Sequence, residues 1–270
     1  YTSDLSGVIE RKGIKGFTFA DDLKIYLSFQ KDELSGPKKL QECINSILEW
    51  SVTWQLSIAS EKCNVLHIGK MNPKCNYFLN ASKIESTPSI RDLGIQIDDE
   101  LTFKEHFEIV TKKAATRANL IFRGLSTNNA AVMVNAYTTY VRPMVEFCPS
   151  VAFPVHDKEA GKLEKLQNKE RNEMLKLKSL IYRRKVNDLK HAYELLFGNS
   201  RLYRNQAHFL TLSKSNLRGA GYKVCKIPFK TKVREHSFAN RVSNVLYNAL
   251  RKGRIPTAYS EFMKMMSKEV

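Results

Sequence analysis

Two adjacent carboxylates, Asp21 and Asp22, lie inside the otherwise largely apolar stretch GFTFADDLKIYLSF, Gly16 to Phe29, with no basic neighbour before Lys24. Phe17 and Phe19 on one side, and Ile25, Tyr26 and Leu27 on the other, are strand formers. The pattern predicts two short strands with the acidic pair at or near their turn. Neighbouring side chains of a strand point to opposite faces, whereas a turn brings them toward one point. Carboxylates held that close repel, and a divalent cation is the simplest way to keep both ionised. Magnesium suits such oxygen ligands and leaves room for water and substrate phosphates. An Asp-Asp pair in a surface turn is also a common solvated loop; the apolar bracket and the text after it set this pair apart.

Downstream, Leu40, Ile44, Ile47, Leu48 and Trp54 recur at helical spacing and predict an amphipathic helix over residues 37–54, opened by Pro37. Leu56-Ser57-Ile58 and Val65-Leu66-His67-Ile68 read as strands. Taken together, Phe19-Ala20-Asp21-Asp22, this helix, the run from Trp50 to Leu56, Lys62-Cys63 and the strand ending at Gly69 resemble the reverse transcriptase of non-LTR (LINE-type) retrotransposons. The resemblance implies a two-metal nucleotidyl-transfer site on a polymerase palm. Asp21 and Asp22 would be two of its three metal-binding aspartates, with Mg2+ as cofactor, and Lys62 a proton donor to the departing pyrophosphate. Read without the family, Lys62 is an ordinary loop lysine. Trp50 and Trp54 fall on a helical repeat with Ile47 and read as core anchors.

Tyr77 to Ile97 alternates short strand-like runs with polar turns, and the resemblance places there a hairpin that grips the primer end. Asp98, Asp99 and Glu100 look like a second metal cluster but lie where a strand gives way to a helix, a place that acids serve well. The family resemblance also implies fingers and a third aspartate upstream of the pair. The sequence starts at Tyr1, about twenty residues before it, and Tyr1 to Leu5 resembles the segment just after those elements. The expectation is the back half of a reverse transcriptase, without fingers, third carboxylate or nucleotide pocket, and inactive by itself.

Charge is divided unevenly. Of 44 basic and 27 acidic residues, residues 1–100 hold 12 and 14, so the remainder carries +19, more than the whole net +17. Such asymmetry points to a polyanion partner; six phosphate contacts would cost about a thousandfold in affinity between low and physiological salt. The basic part reads helical. One helix, Phe103 to Arg123, carries Phe107, Val110, Ala114, Ala118 and Ile121. A second, Ala130 to Val151, carries Val132, Val134, Tyr137, Tyr140, Val141 and Val145, with Arg142-Pro143 kinking or capping it. The resemblance makes these a thumb whose Lys112, Lys113, Arg117 and Arg123 face a template–primer duplex. Lys158 to Lys185 reads as an amphipathic helix built on Leu163, Leu166, Met174 and Leu177, with a solvated charge run; Arg183, Arg184 and Lys185 in it are candidate phosphate contacts. Arg234 and Arg241, mixed with His236 and Phe238, suit RNA stacking and phosphate contact. Phe238, Val242, Val245 and Leu246 equally form a buried helical stripe.

Five widely spaced cysteines with no C-x-x-C support neither a disulfide framework nor a zinc site, and agree with an intracellular, nuclear or cytoplasmic setting. No signal peptide or apolar membrane run is visible. The expected fold is α+β. Residues 1–100 would form a partial polymerase palm of antiparallel strands with a packed helix, 101–156 a mostly α-helical thumb, and 157–270 a basic, mostly helical tail. The expected function is that of part of an RNA-directed DNA polymerase, with an RNA template, a DNA primer and deoxynucleoside triphosphates as partners and no membrane. The alternative is a non-catalytic remnant that binds RNA or an RNA–DNA duplex.

Overall fold

The computed structural model describes residues 4–30, 33, 35–127, 129–167, 177–198, 210, 228–250, 258–266 and 268. The chain divides into two compact units, Tyr1–Asp92 with Asp98–Leu101, and Leu93–Ile97 with Thr102–Val270. Helices and small sheets mix, as an α+β fold requires. Met174, expected in the apolar stripe of the charged run, lies outside the described residues.

The first unit opens with α1 (Leu5–Arg11), β1 (Lys15–Phe19), β2 (Asp22–Tyr26) and α2 (Ser35–Thr53). β1 and β2 form an antiparallel hairpin in which Phe19 pairs with Asp22 and Gly16 with Ile25. Alternation turns Leu23 and Ile25 toward a core of Leu5, Ile9, Ile14, Cys43 and Ile47. Gly16 permits the close approach, because a β-carbon there would lie 2.9 Å from Ile9 Cδ1. Helix α2 supplies Cys43, Ile44, Ile47 and Ser51 from one face, at helical spacing. Pro37 sits in its first turn, where its missing N–H costs nothing.

After α2 come a 3₁₀ turn (Ser60–Lys62), β3 (Asn64–Val65), β4 (Phe78–Leu79), β5 (Ser82–Lys83), β6 (Glu85–Ser86) and β7 (Ser89–Asp92). Tyr77 and Leu79 bury against Ile44 in a second small cluster. The sheet differs from expectation. Among the described residues strands pair only two by two, and β3 with β6 is parallel. Leu56 to Ile58 forms no strand; the segment leaves α2 through Gln55, whose φ is 55°, and runs irregularly to the 3₁₀ turn.

The second unit begins with β8 (Ile95–Asp98), most of which it holds, followed by α3 (Lys104–Gly124), α4 (Ala130–Tyr140), α5 (Arg142–Val145), α6 (Asp157–Gln167) and α7 (Leu180–Phe197). Then come α8 (Lys232–Glu235), α9 (Phe238–Leu250) and α10 (Tyr259–Met266). The apolar stripe read in α3 is the one that packs: Phe107, Val110, Ala114, Ala118 and Ile121 join Tyr137, Val141, Val145, Leu163 and Leu180. The chain breaks at Val141 before Arg142-Pro143, as read. Of the second stripe, Val132 and Tyr140 instead face solvent. The charged run is not one helix, since residues 177–179 are not helical and α7 starts at Leu180. That start is fixed by Ser179, whose hydroxyl accepts the Tyr182 N–H, and by Glu164, whose carboxylate accepts the N–H groups of Leu180 and Ile181. A further core joins Leu189, Ala192 and Leu195 of α7 to Val242, Leu246, Phe262 and Met266.

Two arginines hold the segment between α5 and α6. Arg184, 1% exposed, donates to the carbonyls of Ala152, at 2.7 Å, and Val145, and lies over the Phe107 ring. Arg241 makes a two-pronged pair with Asp188 at 2.8 and 3.0 Å, donates to the His236, Pro149 and Ser150 carbonyls, and covers Phe153 at 4.1 Å. Burial lowers the Arg184 pKa to about 10, and the charge of Arg241 works in the same direction, yet the group stays cationic at neutral pH. Asp188 is pushed upward by burial, a shift that Arg241 opposes.

Two outcomes follow. Arg241→Ala strands a buried carboxylate and should destabilise the second unit by about 3–5 kcal/mol; adding Asp188→Asn should recover part of that in chemical denaturation followed by circular dichroism. His106 is 4% exposed and its Nδ1 accepts the Gln96 N–H. Burial first, then Arg184, lowers its pKa to about 4. The unfolded chain therefore takes the proton first, near pH 6.5. Stability from neutral His106 is complete above that pH and is lost as pH falls toward 4. The denaturation midpoint should drop across that window, and His106→Asn should flatten the drop.

Candidate metal-binding hairpin and basic helix face

The β1–β2 turn consists of Ala20 and Asp21, closed by the Phe19–Asp22 pair. Ala20 takes a left-handed φ of 53°, the sign that two-residue hairpin turns demand at their first central position and that a β-carbon resists by about 1–2 kcal/mol. Asp21 and Asp22 are both exposed. Among the described residues neither carboxylate is hydrogen-bonded or ion-paired, and no three His, Cys, Asp or Glu side chains gather as a metal site would need. The donor set fits magnesium in kind: two hard carboxylate ligands with space beside them for water and phosphate.

Asp4 does not join them. Its Oδ2 accepts both indole N–H groups, from Trp50 at 3.1 Å and Trp54 at 3.0 Å. Desolvation raises its pKa, but the bonds from Trp50, the backbone and Trp54 outweigh it and hold the carboxyl below the ordinary range. The two tryptophans thus tie the end of α2 to the start of α1. Trp50 packs on the core, whereas Trp54 remains half exposed and anchors through its N–H. Sequence reading missed this tie; the signal was two indoles at helical spacing, each requiring an acceptor. It also missed Lys24, which is paired with Asp92.

Lys62 ends the 3₁₀ turn and is exposed, and its carbonyl accepts from Asn64. Asp98 closes a turn by accepting the Glu100 N–H at 3.1 Å. The acid in the first turn of α3 is Glu105, so the 98–100 cluster does not cap that helix.

The basic residues separate by environment. Lys112, Lys113, Arg117 and Arg123 all lie exposed along α3, whose Phe107 and Ala114 are buried. Arg234 is exposed on α8. Lys185 is half-buried beside Phe153, Asp188 and Arg241. Arg183 is paired with Glu146 through both carboxylate oxygens. Arg184 and Arg241 depart from the reading outright, because burial and the carbonyl and Asp188 contacts occupy the guanidinium groups that a phosphate would need. Phe238, Val245 and the buried Val242 and Leu246 pack in the core, which settles the helical-stripe alternative for α9.

No helix of the described residues is long and apolar enough to cross a membrane. No protein-family model and no solved structure matches the chain. Over 124 residues, 46% of this chain and 13% of the relative, it is 27% identical to the RNA-directed DNA polymerase from mobile element jockey of Drosophila funebris. Over 130 residues, 47% of this chain and 14% of the relative, it is 27% identical to the protein of the same name in Drosophila melanogaster. The matched stretch is thus a small part of either relative. Across nearly half of its length, the chain bears out the resemblance to the reverse transcriptases of non-LTR retrotransposons.

Proposed function

We propose that the chain is a portion of an RNA-directed DNA polymerase in which Asp21 and Asp22 hold Mg2+ and the outer face of α3 meets an RNA template paired with a DNA primer. What supports it most is the hairpin: two adjacent exposed carboxylates on a left-handed turn, in a chain whose relatives carry that activity in their names. When bound, magnesium would supply charge neutralisation for the primer hydroxyl and the triphosphate. The protein's part is positional. The inner face of the hairpin is fixed to α1 and α2, so the carboxylates meet a metal–phosphate complex without ordering a loop. Lys62 is assigned proton donation to the departing pyrophosphate on resemblance alone. The third carboxylate that the resemblance implies is not Asp4, whose Oδ2 the two indoles occupy.

A second reading, nucleic-acid binding without catalysis, draws on the four exposed cations of α3 and on there being only two carboxylates at the hairpin among the described residues. In either reading the protein works where cellular nucleic acid is found.

In any polypeptide that contains this chain and extends a DNA primer on RNA with magnesium, Asp21→Asn should lower the extension rate at least a hundredfold and leave duplex affinity unchanged. Extension at the normal rate would refute the catalytic assignment. Replacing Lys112, Lys113, Arg117 and Arg123 together by Gln should weaken duplex binding equally across sequences. The slope of log affinity against log salt should fall by about three to four. An unchanged slope would move the interface off α3.

A further inference from the structure

The two faces of the β1–β2 hairpin are made of different materials. The inward face carries Gly16 and Thr18 on β1 and Leu23 and Ile25 on β2, and the last two pack aliphatic side chains on the core. By the strand register, the outward face carries Lys15, Phe17 and Phe19 on β1, and Asp22, Lys24 and Tyr26 on β2. Phe17 is 56% exposed, Phe19 64% and Tyr26 45%. The rings of Phe17 and Tyr26 stack nearly parallel, with centroids 5.9 Å apart and planes 9° apart. Phe19 is the next outward residue along β1, roughly 7 Å on, directly across from Asp22. The outward face therefore runs from a carboxylate, past one ring, to a stacked pair, with lysines among them.

We propose that the stacked pair Phe17–Tyr26 is a base-stacking platform for a nucleic-acid strand whose end lies at Asp21 and Asp22. This rests on the reading of those carboxylates as a polymerase site. The chemistry of the face favours a nucleobase over a protein segment as its occupant. A face covered by protein would be expected to repeat the aliphatic choice of the inward side. This one offers flat π surfaces to water at the cost of exposed apolar area, with Lys15 exposed on the same face for a phosphate. Aromatic rings interleaved with cations are what sequence-tolerant stacking on single-stranded nucleic acid uses. Position supplies the second ground, since the rings continue the strand face on which Asp22 itself lies.

The test is equilibrium binding of the 270-residue chain to two RNA–DNA duplexes with a recessed primer. They are identical except that in one the terminal primer nucleotides lack their bases. Phe17→Ala and Tyr26→Ala should each weaken binding of the intact duplex by roughly five- to a hundredfold. They should leave the abasic duplex unaffected, while Phe17→Tyr should retain wild-type affinity. Both positions face solvent, and circular dichroism of each variant verifies that it folds. Equal losses on both duplexes, or none on either, would overturn the proposal. So would a change in sedimentation behaviour with unaltered duplex affinity, which would make the face a contact between copies of the chain. Failure of the polymerase reading shows elsewhere, as extension that survives Asp21→Asn, and is not read by this comparison of bases.

Discussion

A buried guanidinium is tolerable only where acceptors surround it, and the second unit is organised around two such groups. The segment between α5 and α6 forms no ladder, contains Pro149 and Pro154, and bends through Cys148 at a φ of 42°. Its carbonyls at 149, 150 and 152, with that of Val145 at the end of α5, require donors from elsewhere. Arg184 and Arg241 provide them from α7 and α9, so one segment ties together helices distant in sequence. Packing completes the arrangement: Arg184 lies over Phe107 of α3, and Arg241 over Phe153. Hydrophobic replacement of a whole buried set of this kind is often neutral in stability, whereas loss of one member leaves charge or carbonyls stranded.

That constraint changes what the basic composition means. Net charge counts every cation alike, but the fold spends some of them internally. Arg184 and Arg241 are hydrogen-bonding hubs, and Arg183 is neutralised by Glu146. The four cations of α3 are different in kind. They lie on the surface of a helix whose apolar stripe packs in the core, and their field acts outward. A polyanion would be attracted to that face for reasons that the total of +17 does not itself convey.

The same distinction explains what was legible in the residues. Helix α3 was read nearly to its ends because its apolar stripe is regular over about four turns, and the break at Arg142-Pro143 because proline forbids continuation. The hairpin was legible because strand formers bracket a turn. Arg184 was misread because a run of three cations looks like surface. Its register says otherwise: Leu180, Arg184, Asp188, Ala192 and Leu195 lie on one stripe of α7, all buried. A charged pair four residues apart within an apolar stripe was the signal. Leu56 to Ile58 looked like a strand, but strand identity depends on a partner that sequence does not display. Trp54 was read as a core anchor from its helical spacing with Ile47, while its N–H turned out to decide where it sits.

Exposure also revises the case for a metal at Asp21 and Asp22. Two carboxylates in a low-dielectric pocket would need a cation to remain ionised, but at an exposed turn water does most of that work. Their repulsion at about 4 Å is only on the order of 1 kcal/mol in bulk water. The hairpin is therefore under little electrostatic pressure to bind magnesium by itself. A cation gains most there when phosphate oxygens complete its coordination, because the protein offers two ligands and magnesium prefers six. Metal affinity and substrate affinity are then coupled at this turn. The rigid inner face matters for the same reason: a mobile acidic loop would lose ordering entropy at each binding event, whereas Leu23 and Ile25, seated beneath the pair, fix it in advance.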